Sequence, residues 1–118
     1  MSSSDPRLLT DKNIWLSTVR PDGRPHLVPI WFVWQNGRCY VCMQESVKLR
    51  NMRANPRVVF ALEDGNKPVI AEGVATLISP PFPSDLALVF KDKYNWDITT
   101  DPGYNTVVEI EPKKWLGW

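Results

Sequence analysis

One histidine and two cysteines leave this chain of 118 residues with few of the side chains that catalyse or ligate metals unaided. A Ser-His-Asp or Cys-His system would have to be built on His26, which sits between Pro25 and Leu27 with no motif around it. A zinc site takes about four ligands, and only Cys39, Cys42 and His26 are on offer, so no metal site is assigned. Cys39 and Cys42 match a C-x-x-C spacing, yet their segment reads as a strand, where residues three apart face opposite sides of the sheet. They are therefore expected to share neither a metal nor a disulfide, and to act as small apolar residues of a reduced protein. No Walker or dinucleotide-binding glycine pattern occurs. Glu63, Asp64 and Glu72 could pair as carboxylates, but they fall at strand ends and on solvated faces. The chain offers little for hydrolysis, so an enzyme built on it would take its chemistry from a cofactor.

An excess of charge is missing too. Lys and Arg number 14 against 13 Asp and Glu, a net charge of +1, which lacks the basic bias of a nucleic-acid protein. An oligonucleotide-binding barrel with stacking aromatics is disfavoured for that reason. No run approaches the roughly 18 apolar residues of a membrane span. The start, Met1 to Asp5, is polar and has neither the basic nor the apolar region of a secretory signal. A cytoplasmic location with no membrane partner is the expectation. Repeats, low-complexity tracts and internal linkers are absent as well, so residues 1–118 are read as one domain.

Tryptophan and proline, in contrast, are plentiful, at 6 and 11 residues. Trp is enriched where aromatic ligands or partner subunits are met; small barrels also use it as core, and composition leaves both open. A short helix is expected over Pro6 to Asp11. Strands are expected over Asn13 to Arg20, Pro25 to Gln35, Arg38 to Gln44, Arg57 to Glu63, Val69 to Ile78 and Tyr104 to Glu111, the last ended by Pro112. Helices are expected over Ser46 to Ala54, stopped by Asn55-Pro56, and over Ser84 to Tyr94, with Asn95 to Gly103 a loop. Pro21-Asp22-Gly23 and Asn36-Gly37 supply hairpin turns, because Asn and Gly tolerate positive φ. The second strand lacks clean alternation, which implies that both its faces are covered, one by a ligand, a helix or a second subunit. Gly73 between alanines on one face of the fifth strand suggests close approach of another backbone or a ligand. Six short strands with small helices predict a mainly β protein, a small antiparallel β-barrel.

The chemistry-bearing feature is the junction after the third strand, Ser46-Val47-Lys48-Leu49-Arg50-Asn51. A hydroxyl at the N-cap, free backbone N–H groups and two cations make an anion site. Lys48 and Asn51 are three apart and share a helix face, whereas Arg50 points elsewhere unless its stem curls back. The competing reading is a solvated basic helix serving solubility. An apolar strand running into an anion site suits a ligand with a flat aromatic end and a phosphate end.

Four motifs in order, R-P-D-G-R-P-H-L-V-P-I-W-F from Arg20, N-G-R-C-Y-V from Asn36, S-V-K-L-R-N-M-R-A-N-P-R-V from Ser46 and A-E-G-V-A from Ala71, resemble the pyridoxamine 5′-phosphate oxidase-related family. This is the FMN-binding split barrel group, with a similar deazaflavin (F420)-dependent branch; the resemblance runs from about Trp15 to the closing W-L-G-W. It implies a six-stranded antiparallel split β-barrel, homodimeric, with a flavin cofactor (FMN, or alternatively F420) at the subunit interface. It further implies that His26, Leu27, Val28, Pro29, Ile30 and Trp31 line the ring system and ribityl chain, largely through backbone groups. Val41 and Cys42 would sit beside the cofactor, with Ser46, Lys48, Arg50 and Asn51 around its phosphate. Lys67, Pro68 and the C-terminal Trp118 would come from the partner subunit. The family's true oxidases carry an arginine where His26 stands, a basic residue where Val47 stands, and a C-terminal Arg-x-His signature that this chain lacks. Vitamin B6 oxidation is therefore not expected. The resemblance implies an FMN-dependent oxidoreductase acting on an unassigned small molecule. Alternatives are an F420-dependent reductase, whose anionic tail would call on Arg24 and Arg53, and a non-catalytic flavin- or haem-binding protein.

Overall fold

The computed structural model describes residues 4–117. In chain order it comprises α1 (Arg7–Thr10), β1 (Asn13–Val19), β2 (Pro25–Trp31), β3 (Val33–Gln35), β4 (Arg38–Met43), α2 (Val47–Ala54), β5 (Arg57–Leu62), β6 (Ile70–Ile78), α3 (Ser84–Tyr94), a 3₁₀ turn (Ile98–Thr100) and β7 (Thr106–Leu116). The strands form one antiparallel sheet in the order β2-β1-β5-β6-β7-β4-β3. Its two edges, β2 and β3, are separated in the chain by Phe32 alone. The sheet must therefore curl until its edges approach, without a ladder to close them. That is a split barrel.

The turns form as their residues require: Gly23 has φ +88°, and Asn36 and Gly37 have φ +53° and +73° in the β3–β4 hairpin. Leu16, Phe32, Cys39, Val41, Phe60 and Ile110 meet inside the curl. A second cluster, including Tyr40, Cys42, Leu86, Phe90 and Val107, packs α3 on the opposite face. Strand parity thus separates Cys39 from Cys42 as expected. Gly73 lies at a register shift between β6 and β7, where a Cβ would stand 2.8 Å from the Glu111 carbonyl oxygen. The close approach is that of another backbone. Among the described residues no helix is long and apolar enough to cross a membrane.

Two strand expectations need correction. The predicted second strand, Pro25 to Gln35, is two strands, giving seven rather than six: β2 pairs with β1, and β3 pairs with β4. At Phe32 the side chains of α3 replace the ladder. The Tyr94 hydroxyl accepts from the Phe32 N–H at 2.9 Å, and Lys93 Nζ donates to the Phe32 carbonyl at 3.0 Å. The last strand runs through Pro112 to Leu116, because Pro112 pairs with Gly73 at the register shift, where a missing N–H is tolerated. One face of β2 is uncovered within the described chain, where a ligand, a helix or a second subunit is expected. Its outer face leaves Leu27 60% and Trp31 47% exposed, beside Trp15 at 43% on β1.

Candidate functional site

The middle of α2 is tied to the sheet by a buried polar pair. Asn51 Nδ2 donates to Thr18 Oγ1 at 3.0 Å, and both residues are buried. Lys48, one helical turn earlier, shares that inward face and is half-buried, whereas Arg50 is exposed. Asn51, which the resemblance puts at the cofactor phosphate, donates one amide N–H to Thr18. His26 stands directly opposite Thr18 across the β1–β2 ladder and therefore on the same face, towards α2.

Apart from that pair, the polar groups near the start of α2 are short of partners. Among the described residues Lys48 makes no ion pair, and burial pushes its ammonium below the usual lysine range. Ser46 precedes α2 in extended conformation, but its Oγ makes no capping bond; it is buried without a partner, as is His26 Nδ1. Burial first, then the charges of Arg20 and Lys48, push the His26 imidazole below its ordinary pKa. The charges acting on His26 are thus both positive, and no carboxylate offsets them. Unpaired buried polar atoms are costly, and an anion beside Lys48 at the start of α2 would accept from the Ser46 hydroxyl. Arg53 and Arg24, in contrast, are occupied by Glu45 at 2.7 Å and Asp22 at 2.8 Å.

Beside this cluster a groove of about 470 Å³ is lined by Pro29, Ile30 and Trp31 of β2, Cys42 and Met43 of β4, and Lys48. Five residues expected from the sequence therefore meet in one groove. Among the described residues β2 pairs in the sheet only with β1, so its other edge carries backbone groups that a ligand could meet. Trp31 stacks on Tyr94 with centroids 4.4 Å apart and planes 8° apart. Other expected residues lie elsewhere. His26 and Val28 lie further along β2 on its inner face, Leu27 is on its outer face, and the Val41 side chain fills the core. Lys67 and Pro68 are in the β5–β6 hairpin, where the Lys67 carbonyl accepts from Arg7, and line no part of the groove. Trp118 lies outside the described residues.

The far wall of the groove is absent from the sequence expectations. It consists of Trp96 and Asp101, from the segment read as a plain loop, and Tyr104, read as the first residue of the last strand, which begins at Thr106. Trp96 Nε1 donates to Asp101 Oδ2 at 3.1 Å, and the Trp96 and Tyr104 rings meet edge to face at 5.1 Å. A tryptophan with two Asp residues, Asp97 and Asp101, within a supposed loop was the available signal.

Solved structures share this fold. An F420 reductase superposes with a TM-score of 0.77 at 22% identity, covering 98% of both chains. The haem storage protein of Vibrio cholerae gives 0.75 at 18% identity, covering 87% of this chain and 82% of its own. An FAD-binding protein of Mesorhizobium loti gives 0.68 at 21% identity, over 92% and 87%. At such identities the likeness is one of fold. No curated protein matches the sequence. The sequence model described as pyridoxamine 5′-phosphate oxidase matches residues 7–118. With the split sheet and the motif order pointing the same way, the chain belongs to the pyridoxamine 5′-phosphate oxidase family.

Proposed function

We propose that the groove binds FMN and that the protein is a flavin-dependent oxidoreductase. The observation that carries this reading is the unpartnered cluster at the start of α2: a half-buried Lys48, His26 Nδ1 and Ser46 Oγ, with no carboxylate among the charges acting on His26. Lys48 and Ser46 would hold the phosphate, with Arg50 at the rim; Pro29, Ile30 and the free edge of β2 would hold the ring system. When bound, the flavin supplies the two-electron chemistry that this chain's own side chains lack. The chain's part is to neutralise the phosphate, orient the ring against Trp31 and keep water from one of its faces.

The exposed Trp15, Leu27 and Trp31 form an apolar strip that suits a second copy of the chain. In a homodimer Lys67 and Pro68 would reach the partner's groove. F420 is the second reading, favoured by the end-to-end likeness to an F420 reductase. Against it, Arg24 and Arg53, which its anionic tail would need, already hold carboxylates. Titration with FMN and F420 in parallel, followed by quenching of Trp fluorescence, tests the choice. FMN should bind more tightly; tighter F420 binding would exchange the readings, and binding of neither would end both.

A further inference from the structure

The groove does not end at the expected cofactor site. Asp101 and Tyr104 also line a second cavity of about 520 Å³, whose other walls include Pro81, Phe82, Ile98 and Pro102. The two spaces therefore meet at one carboxylate. The partition is rigidly held. The indole of Trp96 donates to Asp101 Oδ2 at 3.1 Å, the Tyr104 N–H donates to the Asp101 carbonyl at 3.1 Å, and Phe90 supports Trp96 edge-on at 5.9 Å.

Charge distribution decides what this annex can accept. Among the described residues no Lys or Arg lines it, and Asp101 is its single charged side chain. In the adjoining groove the single cation is Lys48, which the proposed function assigns to the cofactor phosphate. A substrate carrying its own phosphate or carboxylate would find no cation left and would face Asp101 across a partly desolvated space, where like charges repel strongly. A flat apolar molecule would find proline, phenylalanine and isoleucine walls in a volume typical of small-ligand sites.

We propose that this annex is the substrate subsite, that it takes a neutral or cationic aromatic molecule rather than an anionic one, and that Asp101 sets that preference. This assignment rests on the flavin reading above, since it leaves the annex free by giving the groove to the cofactor. It also separates the protein's substrate class from the phosphorylated one that the family's name suggests.

The test uses three probes of one shape, 2-naphthylmethylamine, 2-naphthalenemethanol and 2-naphthoate, titrated calorimetrically into FMN-loaded and cofactor-free protein. The amine should bind at least about tenfold more tightly than the carboxylate, as a charge-assisted hydrogen bond implies, with the alcohol between them. Asp101→Asn keeps an acceptor for the Trp96 indole and should bring the amine down to the alcohol's affinity. Thr99→Lys places a cation on the annex wall, outside the groove, and should turn the preference towards the carboxylate while FMN affinity stays within about twofold. A carboxylate that binds the wild type as tightly as the amine, an unchanged preference in Asp101→Asn, or no binding of any probe at millimolar concentration overturns the proposal. If the probes rank as expected but FMN fails to bind, the flavin reading falls and the annex stands as a ligand site set by Asp101, no longer as the substrate subsite of a flavoprotein.

Discussion

Replacing Thr18 or Asn51 singly should cost more than replacing both. They are the two buried polar residues of the described core, and each is the other's hydrogen-bond partner, at 3.0 Å. Thr18→Val is nearly isosteric and leaves the Asn51 amide without an acceptor; Asn51→Leu leaves the Thr18 hydroxyl without its donor. An unmet buried polar group costs about 1–3 kcal/mol, whereas removing both partners together is close to neutral. Each single change should therefore lower the melting temperature by roughly 4–10 °C for a domain of this size. The double variant should recover part of that loss, with a coupling energy of about 1–2 kcal/mol. Because the pair ties α2 to β1, and Lys48 stands one turn from Asn51, the single variants should also weaken FMN, and the double less so. Urea unfolding and FMN titration on the four proteins complete the cycle. Additivity within about 0.5 kcal/mol would show that the pair does not position the helix.

Other outcomes follow from single contacts. Gly73→Ala would put a Cβ 2.8 Å from both the Glu111 carbonyl oxygen and Ile110 Cγ2; backbone cannot yield as a side chain can, so urea unfolding should show a loss of about 1–3 kcal/mol or more. Lys93 is pushed down to about 8, first by burial and then by Lys12. Between that value and the ordinary lysine pKa the unfolded chain binds the extra proton, so stability relative to Lys93→Met should rise from pH 8 to pH 10. The comparison with the variant matters because burial pushes Cys42 and Tyr94 up to about 12, which lowers absolute stability in alkali; a difference that is flat with pH would refute the assignment. Light scattering at micromolar concentration should give the mass of a dimer, twice 13.5 kDa, and a monomer would count against the interface.

Much of the fold was legible because its rules are local. Asn36-Gly37 demanded a hairpin, the spacing of Cys39 and Cys42 demanded opposite faces, and Gly73 between alanines announced a close backbone. The split of the second strand was hidden because Leu27 to Trp34 is apolar throughout, so hydropathy carries no mark of the change of partner at Phe32. That break is made by Lys93 and Tyr94, some sixty residues away, through hydrogen bonds to the Phe32 backbone. Pro112 misled for a related reason: its missing N–H matters only if the ladder needs it, and the register shift at Gly73 removes the need. At the site, the anion cluster could be read from helix spacing, but its buried, unpartnered His26 and Ser46 atoms could not. Trp96 and Asp101 escaped because loop residues have no periodicity to betray which way they face, and Tyr104 because the strand it was read into begins only at Thr106.

The central claim is that Lys48 meets a phosphate, and a comparison of FMN with riboflavin on wild type and Lys48→Ala tests it most directly. A charge-assisted hydrogen bond of roughly 1.5–3 kcal/mol predicts that the variant weakens FMN about 10- to 150-fold, with little change in folding. Riboflavin, which lacks the phosphate, should bind the wild type poorly and be nearly indifferent to the change. Equal weakening of both ligands would make Lys48 a structural residue and place the anion elsewhere.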